Sequence, residues 1–517
     1  MRLPRSAPDV LHGAGLCARL LHESVPLRNQ PSRKTVSSPP ARPRAFHFDR
    51  ILIGERWERD VRLEVDDEGR IAAVEPGGRP EGCERVVGWT VPGVPNVHSH
   101  SFQRALAGLA EGGGPGSFWS WRDVMYAFVD RLTPDDVEAI TAQLHVEMLK
   151  SGFTCVGEFH YLHHAPGGVP YDDPAEMSRR ILEAARISGI GLVHMPVAYE
   201  TGGFGGEPLK GGPRRFAMDL DGVGRLCESL GGRAPGRGIR TGLALHSLRA
   251  VPRETFGRLA EFLAGPASMG AGAPPVHIHV AEQRREVREC LERLGARPVE
   301  WLLDRAPVDR RWCLVHATHV DDHEAEAVAR AGAVVGLCPT TEANLGDGLF
   351  PLGAFAARGG RFGIGTDSHV SRSPVEELRL LDYGQRLTLR RRSVLGDVTS
   401  GDGMAGDATA RESALAGAGG RLLAHAWRDG CQALAWDGGS VAIGLRADLL
   451  VLDAEHPALV GRTANGVLDS WLFSGTDNPV RHVMVGGDWV VRDGRHAREE
   501  EARRAFAETV RRLPERL

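Results

Sequence analysis

Histidines in this chain recur at the ends of short apolar runs. Val94-Pro-Asn-Val97 leads into His98-Ser99-His100, and Gly242 to Leu245 leads into His246-Ser-Leu-Arg249. A third run carries His277-Ile-His279-Val-Ala-Glu282, a fourth ends in His316-Ala-Thr-His319, and a fifth ends in Asp367-Ser-His369. Side chains alternate along a strand, so His98 and His100 face the same side. Two neutral imidazoles together at a strand end are the first two ligands a zinc-class ion needs. His279 is preferred to His277 as the third, because it lies nearer its strand end and has Glu282 three residues on. His277 shares that face but sits deeper, where a hydrogen-bonded interior histidine is an equal alternative. Asp367 supplies the fourth ligand. Three imidazoles and one carboxylate suit zinc, with iron or manganese open. A bridged pair of ions would need a further ligand such as a modified lysine on a middle strand. The only lysines are Lys34, Lys150 and Lys210, so one divalent metal is expected.

Such an ion lowers the pKa of water towards ~7 and so supports hydrolysis at neutral pH. Glu282 is placed to carry a proton from that water to a leaving nitrogen. Asp367 can accept or hold the water's proton, and His316 can orient the nucleophile and stabilise the addition intermediate. His319 and His369 read as packing residues.

These groups converge only if the strands carrying them share one rim. Eight strand-like runs are spaced along the chain: Thr90–Val97, Phe153–Phe159, Gly191–Tyr199, Gly242–Leu248, Pro275–Ala281, Trp312–Ala317, Ala333–Pro339 and Arg361–Thr366. Helical patterns such as Pro134–Lys150, Pro174–Ser188 and Pro252–Leu263 lie between them. This alternation predicts a (β/α)₈ TIM-like barrel over residues 92–400, whose C-terminal strand ends carry the function. No Gly-x-Gly-x-x-Gly turn follows the first strand, which counts against a doubly wound dinucleotide fold. Residues 45–91 and 401–500 read as two parts of a small β-sandwich domain built from both ends of the chain, the second part with connecting helices. Residues 501–517 read as a C-terminal helix, and the Arg-, Pro- and Ser-rich residues 1–44 as a disordered tail.

Composition narrows the class. Over 517 residues the formal net charge is −4, which gives no electrostatic reason to expect nucleic acid or membrane as partner. No apolar run is long enough to span a bilayer. The eight cysteines are scattered, without a Cys-x-x-Cys pair, as in a cytoplasmic enzyme with reduced thiols.

The constellation resembles the amidohydrolase superfamily, in its single-metal deaminase branch. The resemblance spans about residues 45–500 and includes Gly444-Leu-Arg-Ala-Asp-Leu-Leu-Val-Leu-Asp453 and Val485-Gly-Gly-Asp-Trp-Val-Val-Arg-Asp-Gly494, similar to that superfamily's small β-domain. Within it, the sequence is most similar to the family of formimidoylglutamate deiminases of histidine degradation. That similarity rests on His98-Ser-His-Ser-Phe-Gln-Arg104, Ser117-Phe-Trp-Ser-Trp-Arg122, Gly157-Glu-Phe-His-Tyr-Leu-His-His164, His246-Ser-Leu-Arg249, Leu314-Val-His-Ala-Thr-His319 and Thr341-Glu-Ala-Asn-Leu-Gly-Asp-Gly348. It implies hydrolysis of N-formimidoyl-L-glutamate to N-formyl-L-glutamate and ammonia, a homodimer, and a small-molecule substrate with two carboxylates. It also implies a substrate pocket lined by Gln103, Arg122, Tyr161, His246 and Arg249. Arginine forks suit carboxylates. Trp119 and Trp121 are expected to pack rather than touch substrate. The rival readings are a deaminase of a heterocycle such as guanine, and a barrel scaffold that has lost its chemistry.

Overall fold

Pro92 and Gly93 divide two sheets. The computed structural model of the protein describes residues 44–513 apart from 110, 112–117, 232–237, 266–272, 393 and 396–412. The expected tail at residues 1–43 lies outside these, and Arg44 already belongs to a strand. Ahead of Gly93 run β1 (Arg44–Ile53), β2 (Arg56–Val65), β3 (Ile71–Pro76) and β4 (Glu84–Pro92); after it comes β5 (Val94–Ser99). The Gly93 N–H donates to the Asp448 carbonyl at 2.9 Å, in the first sheet, and the Val94 N–H donates to Gly152 at 3.2 Å, beside the second. A side chain at Gly93 would place its Cβ 2.2 Å from the Thr154 hydroxyl, so only glycine passes there. The run predicted as one strand, Thr90–Val97, is therefore two strands in two sheets. Its apolar pattern continues across the break, and only Pro92-Gly93 betrays it.

The second sheet is the barrel. After β5 come β6 (Phe153–His160), β7 (Gly191–Ala198), β8 (Ile239–Thr241), β9 (Leu243–Ser247), β10 (Val276–Val280), β11 (Trp312–His316), β12 (Val334–Leu337) and β13 (Arg361–Ile364). All pair in parallel, in the order β13-β12-β11-β10-β9-β7-β6-β5, with β8 as an extra piece on β7. At the C-terminal rim the His98 carbonyl accepts the N–H groups of Thr366 at 3.1 Å and Asp367 at 3.0 Å, joining the last strand to the first. Eight strands separated by helices thus form a (β/α)₈ barrel, as the alternation predicts.

The first sheet is finished by the far end of the chain. β14 (Leu449–Leu452), β15 (Val480–Val485), β16 (Asp488–Arg492) and β17 (Arg495–His496) extend it in the order β17-β16-β15-β14-β4-β1-β2-β3. Phe46, Phe48, Val61 and Leu63 from one half share an apolar cluster with Leu449, Val451 and Met484 from the other, so both ends of the chain build one sheet with one core. A final helix runs Glu499–Arg512.

The helix Ala418–Ala433 closes the barrel opposite the rim. A Cβ on Gly430 would lie 2.7 Å from the Pro95 ring, so the helix backbone sits directly on β5. Its last turn receives the His277 Nε2–H on the Ala433 carbonyl at 2.8 Å. His277 is thus an interior structural histidine, held neutral by burial with a pKa of about 4. Asp429 in the same helix accepts from His425 Nδ1 at 2.7 Å, Arg428 Nε at 2.8 Å and the Phe362 N–H of β13 at 3.3 Å.

Burial alone would raise the Asp429 pKa, but the hydrogen bonds from His425 and Arg428 outweigh it and hold the group below the usual carboxylate range. The folded-state pKa therefore lies below the unfolded value of about 3.9. The stabilisation is complete above that pH and is lost as pH falls through the folded value. Asp429→Asn should lower stability by roughly 1–3 kcal/mol at pH 7. In thermal melts taken from pH 7 downward, the gap between variant and wild type should close at the acid end; a gap independent of pH would contradict this role.

Candidate active site

His98, His100 and His279 meet at the rim with their Nε2 atoms 3.1, 3.3 and 3.0 Å apart. The pleat of β5 aims the first two, and β10 brings the third across the barrel. His100 donates Nδ1–H to the Phe159 carbonyl at 2.9 Å, and His279 donates Nδ1–H to the His246 carbonyl at 2.9 Å. Each bond leaves a bare lone pair on Nε2, the tautomer a metal requires. Burial pushes all three rings towards the neutral form, His100 to a pKa of about 3 and the others well below the ordinary histidine value. Crowded lone pairs repel unless a cation lies among them, and spacings near 3 Å suit metal–nitrogen bonds of about 2.0–2.1 Å.

Asp367 stands next to this trio, its Oδ1 3.3 Å from His100 Nε2 and 3.7 Å from His98 Nε2, and it also groups with His316 and Cys338 as a second cluster of buried groups able to hold a metal. Its backbone is fastened on both sides: its N–H donates to His98 at 3.0 Å, and its carbonyl accepts from His100 at 3.1 Å. Asp367 has φ +46°, and Ala281, His316, Ala317 and His369 at the same rim also have positive φ. Left-handed backbone on non-glycine residues is strained, and such strain gathers where side chains must be aimed.

His316 stands beside this set. Its Nε2 lies 3.7 Å from Glu282 Oε1 and 3.7 Å from Asp367 Oδ2, and its Nδ1 donates to Glu342 Oε1 at 3.2 Å. Burial disfavours the charged ring, but Glu282, the Glu342 hydrogen bond and Asp367 outweigh it and raise the pKa to about 10. Burial raises the carboxyl pKa of Glu282, and that of Asp367 to about 6. Asp347, also buried nearby and facing Glu282, rises to about 9. The arrangement is one cationic ring shared among acids, able to hold and pass protons.

Gln103, Arg122, Tyr161, His246 and Arg249 all line the same cleft, together with His100, His279, Glu282, His316 and Asp367. Gln103 donates to the Tyr161 hydroxyl at 2.7 Å. The His246 ring packs 4.3 Å from that of Tyr199 and is kept neutral by burial and by the charge of Arg249. Among the described residues, no carboxylate lies within 4.0 Å of the Arg122 or Arg249 guanidinium. The helix Phe118–Val129 roofs the cleft with Phe118, Trp121, Arg122, Met125 and Tyr126. Trp121, expected to pack, lines the cleft; Trp119 does not.

Three carboxylates escaped the sequence reading: Asp347, Glu342 and Glu286. Glu342 accepts the Cys338 N–H at 2.8 Å as well as the His316 proton. Glu286 accepts the N–H groups of Ala281 and Glu282, each at 3.2 Å, and so pins the strained turn that presents Glu282. Glu342 and Glu286 each lie four residues past the turn they bind, a spacing that only a strand-to-helix boundary makes meaningful.

With this geometry in view, comparison with known proteins is decisive. The amidohydrolase family profile matches residues 89–490. The chain belongs to the amidohydrolase family. This amidohydrolase is 49% identical over 468 residues to the formimidoylglutamate deiminase of Pseudomonas aeruginosa PAO1, covering 90% of this chain and 98% of that one. It is 28% identical to the 5-methylthioadenosine/S-adenosylhomocysteine deaminase of Natronomonas pharaonis, over 90% and 95% of the two chains. A crystal structure of an amidohydrolase from Brucella melitensis superimposes with a TM-score of 0.79 at 42% identity, covering 91% of this chain and 99% of that one.

Two measurements check this site. Metal analysis of purified protein should find about one divalent ion per chain, and far less in His279→Ala. Glu342→Gln should lower kcat by roughly 10- to 100-fold. Removing that charge lowers the His316 pKa, so the alkaline limb of the pH–rate profile should move to lower pH.

Proposed function

We propose that this amidohydrolase hydrolyses N-formimidoyl-L-glutamate to N-formyl-L-glutamate and ammonia, as one step in histidine degradation. The observation that carries the reading is that Arg122 and Arg249, with no carboxylate within 4.0 Å of either guanidinium among the described residues, line the same cleft as His100, His279 and Asp367. The 49% identity to a formimidoylglutamate deiminase supports it.

His98, His100, His279 and Asp367 would hold a single zinc ion. When bound, the ion supplies Lewis acidity that lets water act as a nucleophile near neutral pH. Asp367 takes a proton from the attacking water as its oxygen adds to the formimidoyl carbon. His316, charged and held by Glu342, stabilises the oxygen in the addition intermediate. Glu282 gives its proton to the terminal imino nitrogen on addition and then carries the hydroxyl proton of the intermediate to the same nitrogen, so that the carbon–nitrogen bond breaks, ammonia leaves and the C=O of the formyl group forms; the proton held by Asp367 then restores Glu282. Arg122 and Arg249 bind the two carboxylates in forked hydrogen bonds, with Gln103, Tyr161 and His246 donating around them. The enzyme works in the cytoplasm as a homodimer, and the seven described cysteines, all free, fit a reducing compartment.

The test is a kinetic comparison of formimidoylglutamate, formimidoylaspartate and formamidine with wild type and Arg249→Ala. Loss of the arginine should weaken turnover of the diacids by roughly 2–5 kcal/mol in kcat/KM. Formamidine should be little affected. An unchanged specificity constant removes Arg249 from the pocket, and ammonia release from guanine alone would replace the substrate assignment.

A further inference from the structure

We propose that Trp119 is a positioning residue that sets diacid specificity, its indole holding Arg122 and Arg249 at the spacing two carboxylates require. This rests on the reading above that these two arginines bind the substrate. The Arg122 Cζ lies 4.3 Å from the indole centroid and the Arg249 Cζ lies 5.8 Å from it. Arg122 follows Trp119 by three residues on the roof helix, so the two share a face. Arg249 comes from the far wall, just beyond β9. One aromatic ring therefore touches both guanidiniums, although it lines no part of the cleft itself.

Among the described residues the Nε atoms of both arginines are buried without a hydrogen-bond partner, and the charge of Arg249 is favoured by the fields of Glu286 and Glu282 rather than by a direct ion pair. The negative face of an indole attracts guanidinium groups most strongly where water is scarce. It holds them without neutralising them, which an aspartate or glutamate would do at the expense of the substrate. A third cation fixes the ring: the Arg285 Cζ lies 4.2 Å from the same centroid. Arg285 is half-exposed and paired with Glu289 at 2.6 Å, so its charge is already answered. It ties the indole to the helix Arg284–Leu294, which follows Glu282.

The experiment compares Trp119→Leu, which keeps apolar bulk, with Trp119→Phe, which keeps an aromatic face. Both are assayed on formimidoylglutamate and on formamidine, alongside Arg122→Ala and Arg249→Ala. Trp119→Leu should lose at least ~10-fold in kcat/KM on the diacid, through KM, while Trp119→Phe stays within ~3-fold. Formamidine turnover should be unchanged in both. Equal behaviour of the Leu and Phe variants on the diacid overturns the proposal, as does an equal loss on formamidine, which marks a merely structural role. If the arginine variants also keep the diacid preference, the reading beneath this one fails; if they lose it and Trp119→Leu does not, only the assignment of Trp119 fails.

Discussion

Three uncharged imidazole nitrogens held about 3 Å apart in a buried place are the constraint on which the rest of the structure depends. Left alone, such an arrangement is unfavourable. The rings cannot ease it by taking protons, because burial opposes a charge on each. They cannot ease it by turning, because the Phe159 and His246 carbonyls hold the Nδ1 atoms of His100 and His279. The fold keeps them there and leaves a cation as the remedy. This is the pre-organisation that ligand binding rewards: the ordering is done by the backbone of a closed barrel before an ion arrives.

The closed barrel matters because the donor set is drawn from both ends of its strand order. Asp367 follows β13, the last strand, and His98 lies on β5, the first. They meet because those strands are neighbours, with the Asp367 N–H on the His98 carbonyl. An open sheet would leave them on opposite edges. The helix Ala418–Ala433 seals the other mouth and accepts the Nε2–H of the interior His277 on its Ala433 carbonyl. The strained turns at Ala281, His316 and Asp367 persist because neighbouring groups over-determine them, as Glu286 does for the turn before Glu282.

How much of this could be read beforehand follows from what each residue does. His98, His100, His279 and Asp367 announce themselves because their types are uncommon at strand ends and their chemistry is their own. Glu342 and Glu286 act through other residues, and a glutamate early in a helix is too ordinary to stand out from one that only improves the helix end. The break at Gly93 was hidden because hydrophobicity reports burial and not sheet membership. Trp121 and Trp119, two residues apart on one helix, differ in whether they face the cleft; that depends on how the roof helix sits, which no local pattern records. The eight barrel strands were legible because each is an apolar run between helical patterns, and the smaller sheet because turn residues punctuate its hairpins.

The cleft is divided by charge, and the division bears on which substrate it suits. Around His316 lie Glu282, Asp367, Glu342 and Asp347; Arg122 stands on the roof helix and Arg249 on the far wall, where Glu286 and Glu282 favour its charge. A neutral heterocycle would leave both guanidiniums without partners in a space that water enters poorly, and desolvated charges without partners are expensive. A molecule with a basic amidine-like end and two carboxylates reproduces the same division in reverse, so each half of the cleft meets its opposite. Tyr126, Tyr161, Tyr199 and Phe216 supply aromatic wall to the same cleft. Excluding water strengthens the ionic contacts at one end and the proton transfers at the other. On the proposed reading, the arginines that would bind a diacid line the same cleft as the acids that would move protons, so recognition and chemistry share the barrel mouth.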